Sequence, residues 1–358
     1  MSVKVRNILL FWLETLMIFA ILVLAVLPFS CKVTESGIKI MDGDYVCPKL
    51  LSYCVEDART LKINFSEKVE LKSHVICDEK KSELKSDVVS DMKTDVICLK
   101  LHDASVIGNN YSLLGVVKDE YGNSLTFELP FKGFNERVPS LIMTEIQTTT
   151  ISSQKKDEAA GGFYRTEFVE LLALTDGNLS GIELVSANDG EDRRFELPPV
   201  EVKQGEVIVV HLRNKGNGCI NEDGDNLSLA NAPYSTNGVR DLWTSSTDPA
   251  IGNKTDVVFL RNTANGDLLD ALLFCDSKYD LWPSKFERYV NIVKDASIFE
   301  STKCSDVIIG DDLAKTTTLQ RINAKTILED FKKNKKSVYP VKNSAKDWQM
   351  KDNTAGYL

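Results

Sequence analysis

Short runs in which apolar and polar residues alternate recur along most of the chain. Residues 61–65, Leu-Lys-Ile-Asn-Phe, alternate as a half-buried strand does. Residues 95–101 predict a second strand, more continuously apolar and so more deeply buried. Residues 111–118 and 125–131 predict a strand pair around Asp119-Glu120-Tyr121-Gly122-Asn123, where Gly122 and Asn123 tolerate the positive φ that such a turn needs. Further β-like runs stand at 141–146, 166–172, 178–184, 205–212, 253–260, 266–272 and 319–321. One stretch breaks the pattern. Trp282, Phe286, Tyr289, Val290 and Val293 recur at helical spacing with charges between them, and Pro283 and Ser284 suit a helix start. This predicts a short amphipathic helix lying as a cover on a sheet. The expected fold class is all-β.

Punctuation divides the pattern in two. Residues 133–139, Gly-Phe-Asn-Glu-Arg-Val-Pro, have linker composition. The charged stretch 78–93 is expected to be a solvated loop or short helix. Residues 213–252 form a long run rich in Asn, Gly, Ser and Asp, and loops of that length are commonly functional.

At the N-terminus Lys4 and Arg6 precede an apolar run over 8–29 that is interrupted by Glu14. The uninterrupted part, 16–29, is shorter than the roughly 20 residues of a spanning helix, and no basic band follows it. This reads as an export signal over 1–30. Leu27-Pro28-Phe29-Ser30-Cys31 resembles a bacterial lipobox, although Pro28 stands three places before the cysteine where that motif usually has Leu. The resemblance implies lipidation at Cys31, with 31–57 as a tether; the other reading is an uncleaved signal anchor. Without residues 1–30 about 330 residues remain, enough for two domains with cores of their own.

Ile63-Asn64-Phe65-Ser66-Glu67-Lys68-Val69, taken with Val117-Lys118-Asp119-Glu120-Tyr121-Gly122-Asn123, resembles a bacterial Ig-like domain, here over 58–136. The second half is similar to a lamin tail domain over 140–358. The motifs that carry the similarity are Leu141-Ile142-Met143-Thr144-Glu145-Ile146, Phe168-Val169-Glu170-Leu171 and Gly205 before a buried strand. Leu319-Gln320-Arg321 and the ending after Asp347-Trp348 complete the set in family order. The resemblance implies two tandem immunoglobulin-like β-sandwiches, the second carrying the helical insertion at 278–313 and the insertion at 213–252. It also implies a module that binds or anchors and does not catalyse.

Charge and candidate chemistry narrow this. Lys and Arg number 43 against 52 Asp and Glu, a net charge of -9, with no basic run dense enough to neutralise phosphates, so nucleic acid is excluded as an expected partner. Membrane affinity then has to come from the lipid. In an exported chain Cys47, Cys54, Cys77, Cys98, Cys219, Cys275 and Cys304 are disulfide candidates. Cys47 with Cys54 and Cys77 with Cys98 are plausible pairs, and the last three permit one bridge. Asp223 and Asp225, in Asn221-Glu222-Asp223-Gly224-Asp225-Asn226, are hard oxygen ligands on a Gly-containing loop and suit Ca²⁺, though not at EF-hand spacing. A bridge from Cys219 is a candidate for shaping that loop. No Gly-x-Ser-x-Gly elbow, phosphate-cradling loop or His-Glu-x-x-His occurs. On a predicted strand Glu167 and Glu170 point to opposite faces, and the lamin tail resemblance implies that Glu170 is a hydrogen-bonded structural group. Arg321 is expected to pair with a carboxylate on its own sheet, and Trp348 to cap the core.

The expected function is a non-catalytic, lipid-anchored binding, adhesion or scaffold module of a bacterial cell envelope, needing no cofactor. The alternative is an accessory subunit or hydrolase with a metal-assisted site in the 213–252 loop.

Overall fold

The protein is described here from a computed structural model, over residues 33–34, 37–38, 45–149, 166–188, 193–213, 218–245, 250–314, 316–334 and 337–358. It is all-β in class, with two tandem sandwiches and, among the described residues, two α-helices.

The first sandwich holds β1 (Leu50–Val55), β2 (Thr60–Asp78), β3 (Thr94–Leu101), β4 (Asn110–Lys118) and β5 (Ser124–Lys132). The 19-residue strand β2 serves both layers. Its first half pairs with β1 and β3, its second half with β4, and the register shifts between Asn64 and Val69 and again between Leu71 and Ser73. Such bulges bend a strand and let it pass from one sheet to the other. The alternation of 61–65 then has a physical basis: Leu61, Ile63 and Phe65 point into a core shared with Leu99, Leu113, Val117 and Phe127. At the β4–β5 turn Gly122 has φ 92°, and the Asp119 carboxylate accepts the backbone N–H groups of Tyr121 and Asn123. The charged stretch 78–93 departs from expectation. It forms two short strands, Glu83–Leu84 on β2 and Ser86–Val88 on β3, because Leu84 packs against the core while the charged side chains face water.

The paired bridges expected here are absent: Cys47, Cys54, Cys77 and Cys98 all carry free thiols. Cys77 lies in the second half of β2 opposite Ser112, whereas Cys98 lies opposite Lys62 of the first half, so the sheet switch separates them. Cys54 sits within β1 opposite Lys62, and Cys47 precedes that strand.

The second sandwich has a six-stranded sheet in the order β11-β10-β7-β6-β15-β16. Its members are β6 (Leu141–Gln147), β7 (Phe168–Ala173), β10 (Val207–His211), β11 (Arg240–Trp243), β15 (Thr317–Arg321) and β16 (Trp348–Asp352). The facing sheet has five strands in the order β9-β8-β12-β13-β14: β8 (Ile182–Ser186), β9 (Arg193–Glu196), β12 (Asp256–Asn262), β13 (Leu268–Cys275) and β14 (Ile308–Ile309). Met143, Val169, Leu171, Val258, Leu260, Leu272 and Leu319 meet between the sheets.

Both outer faces are also covered. Helix α1 (Ser284–Ala296) lays Phe286, Tyr289, Val290 and Val293 on Val257, Phe259, Ala271 and Leu273, as its spacing predicts. Helix α2 (Ala324–Lys333), which the sequence reading missed, lays Ala324, Leu328 and Phe331 on Ile142 and Leu172 of the other sheet. With cover on both sides, β6, β7 and β13 are buried at every position, which is why their sequences run apolar instead of alternating. The Cys275–Cys304 disulfide, 29 residues apart, ties the end of β13 to the loop after α1.

The residues between the sandwiches are pinned. Asn135 donates from Nδ2 to the carbonyls of Asn178 and Ser180, and Arg137 pairs in a fork with Glu201.

Candidate functional site

The C-terminal third brings a polar network into the core. Asp270 on β13 and Arg321 on β15 form an ion pair at 2.9 Å with both side chains 1% exposed. The pair bridges the two sheets, so the expectation of a partner on the same sheet is corrected: Arg321 points inward across the sandwich. The Met143 backbone N–H donates to Asp270 at 2.7 Å. Asn343 Nδ2 donates to the Ala271 carbonyl at 2.6 Å, and Trp348 Nε1 donates to Asn343 Oδ1 at 2.8 Å. The Arg321 guanidinium lies 5.3 Å from the Trp348 ring centre. Trp348 caps the core as expected, being buried in it.

Above Asn343 opens a cleft of about 700 Å³ between the loop after α1 and the segment before β16. Its walls include Lys294, Ser297, Glu300, Lys303, Lys342 and Asp347. Backbone bonds fix the two walls together. Glu300 N–H donates to the Asn343 carbonyl at 2.8 Å, and Asn343 N–H to the Ile298 carbonyl at 2.9 Å. Trp282 Nε1 holds the far side through the Thr302 carbonyl at 2.7 Å, and Cys304 is disulfide-bonded next to Lys303. The cleft volume lies in the range of small-molecule sites. Part of the lining comes from the 278–313 insertion, and its three lysines come from separate stretches of the chain.

A sequence-family model named TP_1001_2nd, described as a protein second domain, matches residues 139–350, more than half of the chain. The chain belongs to the TP_1001 second-domain family. A Treponema pallidum (strain Nichols) protein described as uncharacterized is 28% identical over 170 residues, which cover 47% of this chain and 40% of that protein. The chain thus spans less than half the length of that relative. Among solved structures, a DUF4876 family protein from Bacteroides thetaiotaomicron aligns with TM-score 0.30 and 11% identity, over 82% of this chain and 92% of that one. The N-terminal part of the bacterial S-layer protein SbsC aligns with TM-score 0.24 and 15% identity, over 64% and 44% of the two chains.

In this TP_1001 second-domain chain the remaining predicted site residues do not converge. Cys31 and the apolar run 8–29 lie outside the described residues; among those described, no helix is long and apolar enough to cross a membrane. Asp223 and Asp225 are exposed on the 221–226 loop, and no group of three or more His, Cys, Asp or Glu converges there among the described residues. Glu222, the residue before Asp223, turns inward instead. Its Oε1 accepts the N–H groups of Leu229 and Ala230, and its Oε2 accepts that of Asp241 at 2.9 Å. Arg240 holds the carbonyls of Glu222 and Gly224 and pairs with Glu206 at 2.6 Å. The loop is therefore shaped by Glu222 and Arg240, which corrects the expectation that a Cys219 bridge shapes it. Glu222→Ala is expected to cost about 2–3 kcal/mol in a denaturant melt, because three N–H groups, that of Asp241 buried and the other two partly so, lose their acceptor. An Asp223→Ala, Asp225→Ala variant should stay within about 0.5 kcal/mol of the parent; the reverse ranking would refute this account of the loop.

The other acidic and imidazole groups are built into the fold. Glu167 accepts the N–H groups of Ala250 and Ile251. Glu170 accepts from the Thr144 hydroxyl at 2.6 Å and the Gly356 N–H at 2.7 Å, on the outer face of the six-stranded sheet. Its register partner Glu145 accepts the Thr318 hydroxyl and both the N–H and hydroxyl of Thr354, so two carboxylates strap the C-terminal segment down. Burial pushes the Glu170 carboxyl up to about 7, with the Glu145 charge adding to the rise. His211 donates to Asp241 at 2.5 Å and stacks on Trp243 at 3.7 Å; full burial lowers its proton affinity against the pull of Asp241.

Proposed function

We propose that this chain is an exported, lipid-anchored and non-catalytic binding module of a bacterial cell envelope, with a lamin-tail-type second sandwich preceded by an Ig-like one. One observation carries the reading. The buried titratable groups Glu170, Asp256, His211 and Asp270 are hydrogen-bonded within the second sandwich, whereas the open cleft offers lysines, hydroxyls and carboxylates on a pinned backbone. A preformed concavity lined by such groups suits recognition, with the paired sheets holding its walls. The tether follows from Lys4, Arg6, the apolar run 8–29 and Cys31.

Mass spectrometry of the N-terminal peptide from the membrane fraction tests the anchor. A diacylglyceryl group on Cys31 is the expected result. An intact N-terminus that still contains Trp12 would overturn the lipoprotein reading and leave a signal-anchored protein.

A further inference from the structure

We propose that the cleft between residues 297–303 and 342–347 binds a small acidic sugar, through its carboxylate and its hydroxyls together. This rests on the binding-module reading and adds a ligand class to it. Lys294, Lys303 and Lys342 all line the cleft, and none of them is in an ion pair among the described residues. In a chain of net charge -9, a lining with three lysines and two carboxylates keeps more ammonium groups than carboxylates around one cavity, although Lys303 also faces Asp306, and this local excess favours an anion.

The rest of the lining decides which kind of anion. Glu300 and Asp347 share the walls with the lysines. Two carboxylates so placed repel a densely charged polyphosphate, yet they accept hydrogen bonds from hydroxyl groups. Asp347 already takes bonds from Ser344 and Asn323, while Ser297 and Thr302 add hydroxyls that donate and accept. A ligand bearing one negative charge among several hydroxyls satisfies both sets. The volume of about 700 Å³ fits one or two sugar units and not a nucleic-acid strand. The walls are already joined through Asn343, Trp282 and Cys304, so little ordering cost attends binding.

The test is calorimetric titration of the full chain with glucuronic acid, glucose and inorganic phosphate. The comparison is a Lys294→Gln, Lys303→Gln, Lys342→Gln variant whose thermal melt matches the parent. Saturable glucuronate binding is expected, weakened by added salt, with glucose at least about tenfold weaker. The triple variant should lose about tenfold, the combined effect of three modest exposed charge contacts. Phosphate binding as tightly as glucuronate would overturn the sugar assignment. Glucuronate binding that the triple variant leaves untouched would overturn the cleft assignment but leave the binding-module reading standing, and no saturation with any probe would overturn the proposal outright. Release of nitrophenolate from 4-nitrophenyl glucuronide would instead sink the non-catalytic reading while leaving the cleft as the ligand site.

Discussion

Asp270→Ala is expected to destabilise the protein by about 3–5 kcal/mol, because it leaves the Arg321 guanidinium buried without a counter-charge. With both side chains 1% exposed, solvent cannot take over the role of the missing carboxylate. The same substitution strips an acceptor from the Met143 N–H and loosens Asn343, whose other bonds hold Trp348 and the Ala271 carbonyl. A double variant, Asp270→Leu with Arg321→Met, should recover a large part of the loss. It removes both charges and fills similar volume, although the Met143 N–H stays unmet. Urea unfolding reads this as a lower midpoint at unchanged slope. A loss below about 1 kcal/mol for Asp270→Ala would mean that Arg321 finds water or another partner, and that the inter-sheet pair is not what aligns the two layers.

The elements that were legible in the sequence are those whose pattern is set by one neighbour. The alternation of Leu61, Ile63 and Phe65 needs only a wet face and a dry face, and the Asp119–Asn123 turn needs only its own backbone geometry. Helix α1 was legible because four apolar residues fall on one stripe of a 13-residue segment. Helix α2 was not: its buried face reduces to Ala324, Leu328 and Phe331 within 10 residues, a stripe too short to stand out beside strand text. What depends on how sheets face one another was least legible. Arg321 lies in a strand motif that says nothing about the opposite layer, so its pairing with Asp270 was invisible, as was the switch of β2 that parts Cys77 from Cys98. The cleft belongs to the same class. Its lysines stand at 294, 303 and 342, each unremarkable in its own stretch, and only the bridge between Phe299 and Asn343 brings them to one place.

Glu170 and Asp256 should each draw stability down as pH rises from about 4 to 7, and Glu170→Gln should remove its share of that loss. Burial raises the carboxyls of Glu170 and Asp256 to about 7, from ordinary values of 4.5 and 3.8. Between the ordinary and the raised value the folded chain holds a proton that the unfolded chain has released, so each added unit of pH favours unfolding. The contribution is fully present below the unfolded value and is lost as pH passes through about 7, an order of about 3–4 kcal/mol for each group. Two other carboxylates act in the opposite sense in a lower window, as does His211 below its ordinary value of 6.5, since burial lowers its proton affinity. Asp119 and Glu201 are held below their ordinary values, Asp119 by Asn123 and Glu201 by Arg137, so their contribution appears only as pH climbs through the acid range. Glutamine at 170 mimics the protonated carboxyl and keeps an oxygen for the Gly356 N–H, so it should match the parent near pH 4 and exceed it near pH 7. The parent's own loss should appear first where Glu170 makes its long-range bond. Amide exchange at Gly356 should quicken as pH approaches 7 beyond the intrinsic rate increase, and do so less in Glu170→Gln. Parallel stability curves for the two proteins across this window would mean that Glu170 is ionised throughout, with Thr144 and Gly356 fully offsetting its burial.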